Sequence, residues 1–306
     1  MHPRARTISC TVFALVAFAA NSLLCRQALG KTAIDAASFS TIRLISGAVA
    51  LLLIAMTIRR GSSRFRGTWG SATMLFLYAV PFSFAYVSLS AGTGALVLFG
   101  AVQATMLMAA LSSGERPHPL QWTGLALALG GLVYLVTPGL TAPSPAGSAL
   151  MVVAGVALGV YSLRGRGASA PLGETAGNFV RAVPLVIGVS VLAARNVEVT
   201  TSGALLAVAS GALASGVGYF VWYAALAGLT ATRAATVQLS VPVLAAAGGV
   251  IFLSERITVG LVFAAILILG GVGLALLGRE RSSLGTRDSH SFLRRSSIRL
   301  RTTRKK

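Results

Sequence analysis

Ten long apolar runs divide most of this sequence and restrict its fold more than any other feature. They cover approximately residues 8–25, 37–58, 70–90, 94–113, 120–137, 146–163, 176–194, 202–224, 234–253 and 257–278. Each run approaches the ~20 residues that an α-helix needs to cross a bilayer. The runs are continuously apolar rather than alternating, which favours helices over a β-barrel. The sequence therefore predicts an all-α, polytopic membrane protein with ten transmembrane helices.

The composition supports a membrane environment and argues against nucleic acid as a partner. The chain is 55% hydrophobic and 11% charged, whereas a soluble domain is about 25% charged. Its net charge of +19 comes from basic residues in short loops and in the tail, residues 279–306. We expect this tail to be disordered in the cytoplasm and to contact anionic lipid. The lipid bilayer is thus the main predicted partner.

The distribution of Lys and Arg predicts the orientation. With a cytoplasmic N-terminus, 20 of the 26 basic residues fall on the inner side or in the tail. The outer loops then contain four, namely Arg26, Lys31, Arg195 and Arg256. Because basic residues favour the cytoplasmic side, we predict an inner-membrane protein with both termini in the cytoplasm.

The two halves of the chain contain an internal repeat at an offset of 137 to 140 residues. The segment NSLLCR, ending at Arg26, aligns with GVYSLR, ending at Arg164, and FSTIR, ending at Arg43, aligns with GNFVR, ending at Arg181. Five helices per unit is an odd number, so the second unit enters the membrane from the opposite side. Such an inverted repeat is the geometry of alternating access. The predicted units are residues 1–137 and 146–278, joined by a linker at 138–145.

At these residues the chain resembles the EamA-type members of the drug/metabolite transporter superfamily, over residues 8–278. The shared features are ten spans, an arginine early in the second helix of each half (IRLISG and VRAVPL) and a glutamate closing the fourth (GERP and SERI). The first helix has Ala20-Asn21 where the family often has a tryptophan-glycine pair, and Val102 stands opposite Pro242 of the other half. The resemblance implies a bundle with a central cavity that moves small metabolites.

Enzyme chemistry has few candidate residues in this sequence. All seven acidic residues and all three histidines lie outside the ten runs, so paired aspartates, a serine-histidine pair and HExxH are missing. Gly30-Lys31-Thr32 is similar to the end of a P-loop, but Cys25 occupies the place of its first glycine. We therefore predict no enzyme activity, no catalytic residue, no cofactor and no metal site.

Arg43 and Arg181 are the main candidates for function. Only thirteen residues separate Arg181 from Arg195, so a ~20-residue span must include Arg181, about six residues from its end. Arg43 is expected nearer the outer interface. Our hypothesis is that the two mark opposite mouths of one cavity and attract an anionic or carboxylate-bearing group, or act as gates. The alternative is that each snorkels to lipid headgroups. Arg181 is favoured as functional because charge inside a span costs ~2.5 kcal/mol or more.

Further polar and aromatic side chains within the runs are weaker candidates for substrate binding or gating. They are the amides Asn21, Gln103, Asn178 and Gln238 and the tyrosines Tyr78, Tyr86, Tyr161 and Tyr223. Interhelical hydrogen bonding is the preferred role of the amides, and packing that of the tyrosines. Glu115 and Glu255 close corresponding helices, and we expect them to fix helix ends by pairing with Arg116 and Arg256 or with nearby loops. A coupling role is the alternative.

These features together predict a secondary transporter driven by a gradient or by exchange. We expect it to export a small metabolite, amino acid or related amphipathic compound by alternating access. The alternative is a membrane scaffold or sensor that transports nothing. The sequence leaves the substrate, the coupling ion and the oligomeric state open, a homodimer included.

Overall fold

The computed structural model of the protein describes residues 3–31, 33–57, 66–112, 119–136, 143–165, 170–226, 229, 237–275 and 277. Within these ranges the regular structure is helical, apart from one isolated antiparallel bridge between Ile34 and Val199. The predicted all-α class is therefore confirmed for this part of the chain. The tail and Glu115 lie outside the described residues.

Eleven α-helices and one π-helix make up the described bundle. They are α1 (Pro3–Gly30), α2 (Ala36–Thr57), α3 (Trp69–Tyr86), α4 (Ala91–Ser112), α5 (Pro119–Val136), α6 (Pro145–Arg164), α7 (Pro171–Leu192), α8 (Thr201–Val208), the π-helix (Ala209–Val217), α9 (Gly218–Leu226), α10 (Ser240–Leu253) and α11 (Val259–Ala275). The segments α8, π-helix and α9 follow one another without a break, so the described residues form ten helical rods.

Five of these rods are long and apolar enough to cross a membrane. They contain Ala5–Gly30, Ala36–Thr57, Pro145–Arg164, Leu172–Leu192 and Thr201–Trp222. Three shorter apolar helices are also present, at Ala91–Met106, Ser240–Leu253 and Val259–Ala275. Large apolar side chains such as Leu192, Phe252 and Val259 remain exposed on the outer surface. A surface of this kind suits contact with lipid rather than with water.

Helix α1 differs from its predicted span, which ended at Cys25. The helix continues to Gly30, so the prediction that Arg26 lies in an outer loop is wrong. Its guanidinium donates hydrogen bonds to the backbone carbonyls of Tyr86 and Val87. Because these carbonyls accept its hydrogen bonds, the charged side chain of Arg26 can lie within α1, and the helix does not end there.

Helices of one half of the chain pack chiefly against helices of the other half. Helix α1 contacts the π-helix, α9 and α10, while α6 contacts α3 and α4. Helices α2 and α7 lie against each other, and α2 also contacts the π-helix. The interior of the bundle is thus formed jointly by both halves, with α2 between α7 and the π-helix.

Candidate functional site

The side chain of Arg43 is the centre of a buried polar cluster in the bundle. Arg43 lies seven residues after the start of α2 at Ala36, about 10 Å along the helix. Its side chain is among the largest that are fully buried, and the residue is 2% exposed. Neighbouring helices therefore surround its guanidinium in this conformation, while the expectation that Arg43 lies nearer the outer interface concerns its depth in the membrane and stays a prediction.

Two hydroxyl groups hold the guanidinium of Arg43, and one of its nitrogens is left over. Its Nη2 donates to the hydroxyl of Tyr78 at 2.9 Å, and its Nε donates to Oγ of Ser215 at 3.4 Å. Its Nη1 is buried and has no hydrogen-bond partner. The N–H groups on Nη1 are therefore unused donors in the middle of the bundle.

Aromatic rings on one face of α3 pack against this guanidinium. Tyr78, Phe82 and Tyr86 are spaced four residues apart, which places them on the same side of the helix. Ring centroids are 5.4 Å apart for Tyr78 and Phe82 and 4.7 Å apart for Phe82 and Tyr86. Cζ of Arg43 lies 4.7 Å from the Phe82 centroid and 5.2 Å from that of Tyr78. These cation–π contacts stabilise the charge only in part.

No carboxylate neutralises Arg43 within the described residues. The ion pair found there joins Arg26 to Glu255 instead. Buried charges in proteins are ordinarily paired, because removing an ion from water costs several kcal/mol. Arg43 thus retains a positive charge that its surroundings do not balance.

The π-helix supplies the serines of this cluster. Ser210 and Ser215 are five residues apart, a spacing that places side chains about 140° apart around an α-helix. In the wider π turn, where hydrogen bonds run from residue i to i+5, the two positions come to nearly the same side. Ser215 accepts from Arg43, and Ser210 donates to Oδ1 of Asn21 at 2.6 Å. The π-helix therefore brings both hydroxyls to the cluster.

Asn21 of α1 completes the cluster, and Gly211 lets α2 approach it. Nδ2 of Asn21 lies 3.4 Å from the Tyr78 hydroxyl, which therefore accepts from both Asn21 and Arg43. At Gly211 an added Cβ would collide with the backbone carbonyl of Arg43. Glycine is needed here because the two backbones are in contact. Four rods thus contribute to one site, which we call the Arg43 cluster: Asn21, Arg43, Tyr78, Phe82, Ser210 and Ser215.

A second polar cluster ties together the ends of α1, α3, α4 and α10. Nε of Arg26 lies 3.2 Å from Oε1 of Glu255. Glu255 also accepts from the backbone N–H of Ala91, at 2.9 and 3.0 Å from its two oxygens. The predicted role of Glu255 at a helix end agrees with this geometry, but its partner is Arg26 and not Arg256. We call this group the Arg26–Glu255 cluster.

Arg181, the repeat counterpart of Arg43, has a different environment. The residue is half-buried, and its Nη1 donates to the carbonyl of Gly177 in its own helix at 3.0 Å and to that of Arg66 at 3.5 Å. The nearby amide of Asn178 accepts from the backbone N–H of Thr68 at 3.0 Å and lies 3.5 Å from the Tyr161 hydroxyl. This group fastens the loop before α3 to α7.

The other predicted site residues are not brought into the Arg43 cluster by hydrogen bonds. Tyr86 is buried and its hydroxyl lies 3.4 Å from the carbonyl of Ala91. Gln103 is buried in α4, and its Nε2 has no partner. Gln238 is half-buried before α10. The side chain of Tyr223 lies outside the described part of the structure.

Phe82, Ser210 and Ser215 were not predicted as site residues. Tyr78, Phe82 and Tyr86 follow one another at intervals of four residues, which places them on one face of a helix. This spacing would have identified Phe82. The serines carry no such signal, since they share a side only in the π register. Within the described residues, no group of three or more His, Cys, Asp or Glu side chains could hold a metal ion.

Comparison with known proteins identifies the family to which this chain is similar. The model of the EamA-like transporter family matches residues 145–277. An uncharacterized protein of Pseudomonas aeruginosa is 52% identical over 279 residues, which cover 90% of this chain and 96% of that protein. One solved crystal structure, described only as that of a protein, aligns with a TM-score of 0.64 and 22% identity over 88% of this chain and 97% of the other. That last similarity concerns the fold alone.

Proposed function

Because this chain belongs to the EamA-like transporter family, we propose that it is a secondary transporter of a small metabolite, amino acid or related amphipathic compound. It works by alternating access in the inner membrane, and export is the proposed direction. The substrate contacts the Arg43 cluster in the interior of the bundle. Both halves of the chain contribute to that interior, as a site between moving units requires.

The observation that carries this proposal is the unbalanced charge of Arg43. The residue is 2% exposed, and its Nη1 has no hydrogen-bond partner. Ionisable residues within a membrane are costly and commonly mark a substrate pathway. A bound substrate would use these donors, whereas a scaffold has no need for a buried, unneutralised charge.

The pattern of helix contacts supports two inverted units at residues 1–137 and 146–278. Helix α1 packs on the rod of α8, π-helix and α9 and on α10, and α6 packs correspondingly on α3 and α4. The third rod of each unit also begins alike. Thr68 accepts from the N–H of Ser71 before α3, and Thr200 accepts from the N–H of Gly203 before α8.

The contacts at the helix ends support the proposed ten-span topology, because they join helix ends that this topology places on one side of the membrane. The distribution of Lys and Arg is the basis for proposing that both termini are in the cytoplasm. In that topology Arg26, Val87, Ala91 and Glu255 are all on the outside, and they meet in one cluster. We infer that this cluster holds the outer ends of these helices together in the present conformation. Alternating access then requires the Arg26–Glu255 cluster to separate when the site opens outward.

Transport can be tested by comparing metabolites inside and outside cells that overproduce the protein. The wild type is compared with Arg43→Gln and with the matched control Arg181→Gln, at equal membrane abundance. We expect a compound that moves outward in cells with the wild type or Arg181→Gln and not with Arg43→Gln. Equal movement by all three proteins contradicts the role of Arg43. No movement across a broad panel favours a scaffold or sensor instead.

A further inference from the structure

We propose that the Arg43 cluster binds the carboxylate of a small monocarboxylate, an inference that rests on the transport function proposed above. It assigns the chemical class of the substrate and the atoms that hold its charged group. Nη1 of Arg43 is one donor, and the hydroxyl of Tyr78 is the other.

The donors needed for a carboxylate are present and oriented. Hydrogen bonds to Ser215 and Tyr78 fix the guanidinium plane through Nε and Nη2. Nη1, which is buried and unpartnered, then presents two N–H groups from a fixed position. A hydrogen bond from a guanidinium N–H to a carboxylate oxygen is charge-assisted and therefore stronger than a neutral one. The site is thus prepared for a planar anion before the substrate arrives.

Tyr78 supplies a further donor because of how its own hydrogen bonds run. Its oxygen accepts from Nη2 of Arg43 at 2.9 Å and from Nδ2 of Asn21 at 3.4 Å. Both neighbours are donors, so the hydroxyl proton of Tyr78 remains available. Each amide atom of Asn21 also has a partner in the cluster, because Nδ2 donates to Tyr78 and Oδ1 accepts from Ser210.

The local charge selects a monoanion. Arg43 contributes one positive charge, whereas the charge of Arg26 is offset by Glu255 at 3.2 Å. A carboxylate therefore neutralises the cluster, while a phosphate dianion leaves an excess negative charge in a region of low dielectric constant. A cation is repelled by Arg43.

Ligand binding to the purified, detergent-solubilised protein tests this assignment. The probes are acetate, butanoate, octanoate and benzoate, each with its neutral amide, and inorganic phosphate, all at matched ionic strength. Binding is measured as the rise in Tm, because a ligand that binds only the folded state stabilises it. We expect at least one carboxylate to raise Tm while its amide does not. Phosphate should have a smaller effect.

Variants tie the binding to the named atoms. Arg43→Gln should abolish the carboxylate-dependent rise in Tm, and Tyr78→Phe should raise Kd about tenfold, the effect of ~1.4 kcal/mol. The matched control Arg181→Gln should keep the wild-type response. Equal binding by amides or phosphate, unchanged binding by Arg43→Gln, or no response to any carboxylate overturns the proposal. Tyr78→Phe retains the charge and the ring, so it tests the site even if Arg43→Gln folds poorly.

Different results would contradict the monocarboxylate assignment and the transport proposal. If a carboxylate binds through Arg43 but proteoliposomes do not carry it, transport fails and the site stands. If vesicles carry a neutral or cationic compound equally well with Arg43→Gln, transport stands and the monocarboxylate class is wrong.

Discussion

Arg43 and Arg181 occupy matching positions in the two halves of the chain, yet their surroundings differ. Arg43 is buried among hydroxyls and aromatic rings with one nitrogen unpartnered. Arg181 is half-buried and donates to backbone carbonyls, including that of Gly177 in its own helix. The comparison shows that a repeated arginine can be available to bind a ligand in one half and can anchor a loop in the other.

The difference arises from what packs against each helix. Helix α2 lies against the π-helix, whose Gly211 allows contact with the backbone at Arg43. Helix α7 lies against the loop before α3, where the carbonyl of Arg66 is so close to Gly177 that an added Cβ would collide with it. One arginine therefore points into the bundle interior, and the other meets a loop at its edge.

The largest expected effect separates the two arginines by activity. Arg43→Gln should lower transport at least about 30-fold, because removing one partner of a buried charged contact costs ~2 kcal/mol or more. Arg181→Gln should stay within about threefold of the wild type, since its partners are backbone carbonyls at the edge of the bundle. The measurement is the initial rate in proteoliposomes at equal protein content. Equal losses of transport in Arg43→Gln and Arg181→Gln would contradict the proposed difference in function between the two arginines.

The region around Arg181 should matter more for stability than for transport. Asn178→Ala removes the acceptor of the Thr68 N–H and the donor to Tyr161. We expect the free energy of unfolding to fall by ~1–2 kcal/mol, because the partly buried N–H of Thr68 loses its acceptor. Urea unfolding in mixed micelles measures this change.

The control for that experiment is Tyr161→Phe, which removes the hydroxyl that lies 3.5 Å from Asn178 and leaves the acceptor of the Thr68 N–H in place. It should cost less than Asn178→Ala. Transport per folded molecule should remain near the wild-type rate in both. A transport defect of Asn178→Ala as large as that of Arg43→Gln would place the second region within the substrate path.

A smaller effect is expected at the π-helix. Ser215→Ala removes the acceptor of the Nε–H of Arg43, at 3.4 Å, and frees the guanidinium to reorient. We expect KM to rise about fivefold, the equivalent of ~1 kcal/mol. Ser46→Ala is the control, because Ser46 bonds the backbone carbonyl of Arg43 and not its guanidinium. An unchanged KM in Ser215→Ala would mean that Tyr78 alone orients the charge.

Much of the fold follows from sequence, because apolar runs of ~20 residues leave few alternatives to helices. The expectation that the span ends before Arg26 is wrong, because backbone carbonyls and Glu255 satisfy the charge of Arg26 within α1. The burial of Arg43 did not follow from its distance to Arg59, because that distance does not show which helices pack against α2.

The geometry of the candidate site was only partly accessible from sequence. Asn21, Arg43 and Tyr78 stood out as polar groups in apolar runs, and the structure brings these three together. The roles of Ser210 and Ser215 depend on a π-helix, whose register is set by packing against neighbouring helices rather than by local preference. Sequence spacing alone would have placed them on different faces.

The smallest expected effect concerns the starts of the two arginine-bearing helices. Before α2, Asp35 accepts from the N–H of Ser38 at 2.8 Å and from that of Glu198 at 3.1 Å. Before α7, Ala170 makes no side-chain cap and Pro171 follows it. Partial burial raises the pKa of Asp35, but the hydrogen bonds from Ser38 and Glu198 outweigh it, so the pKa lies below its ordinary value.

A carboxyl group with a lowered pKa stabilises the fold above its ordinary pKa, and this contribution is lost as the pH falls through the lowered value. Asp35→Asn keeps an acceptor for the cap, so we expect it to cost less than ~1 kcal/mol at pH 7, less than Asp35→Ala, which also loses the cap. The deficit of Asp35→Asn relative to the wild type should shrink between pH 5 and pH 3, because the wild-type carboxylate then becomes protonated. Thermal unfolding across this range measures the deficit. A deficit that stays constant down to pH 3 would show that the charge of Asp35 does not stabilise the start of α2. The different surroundings of the two arginines would then depend on the π-helix and α3 alone.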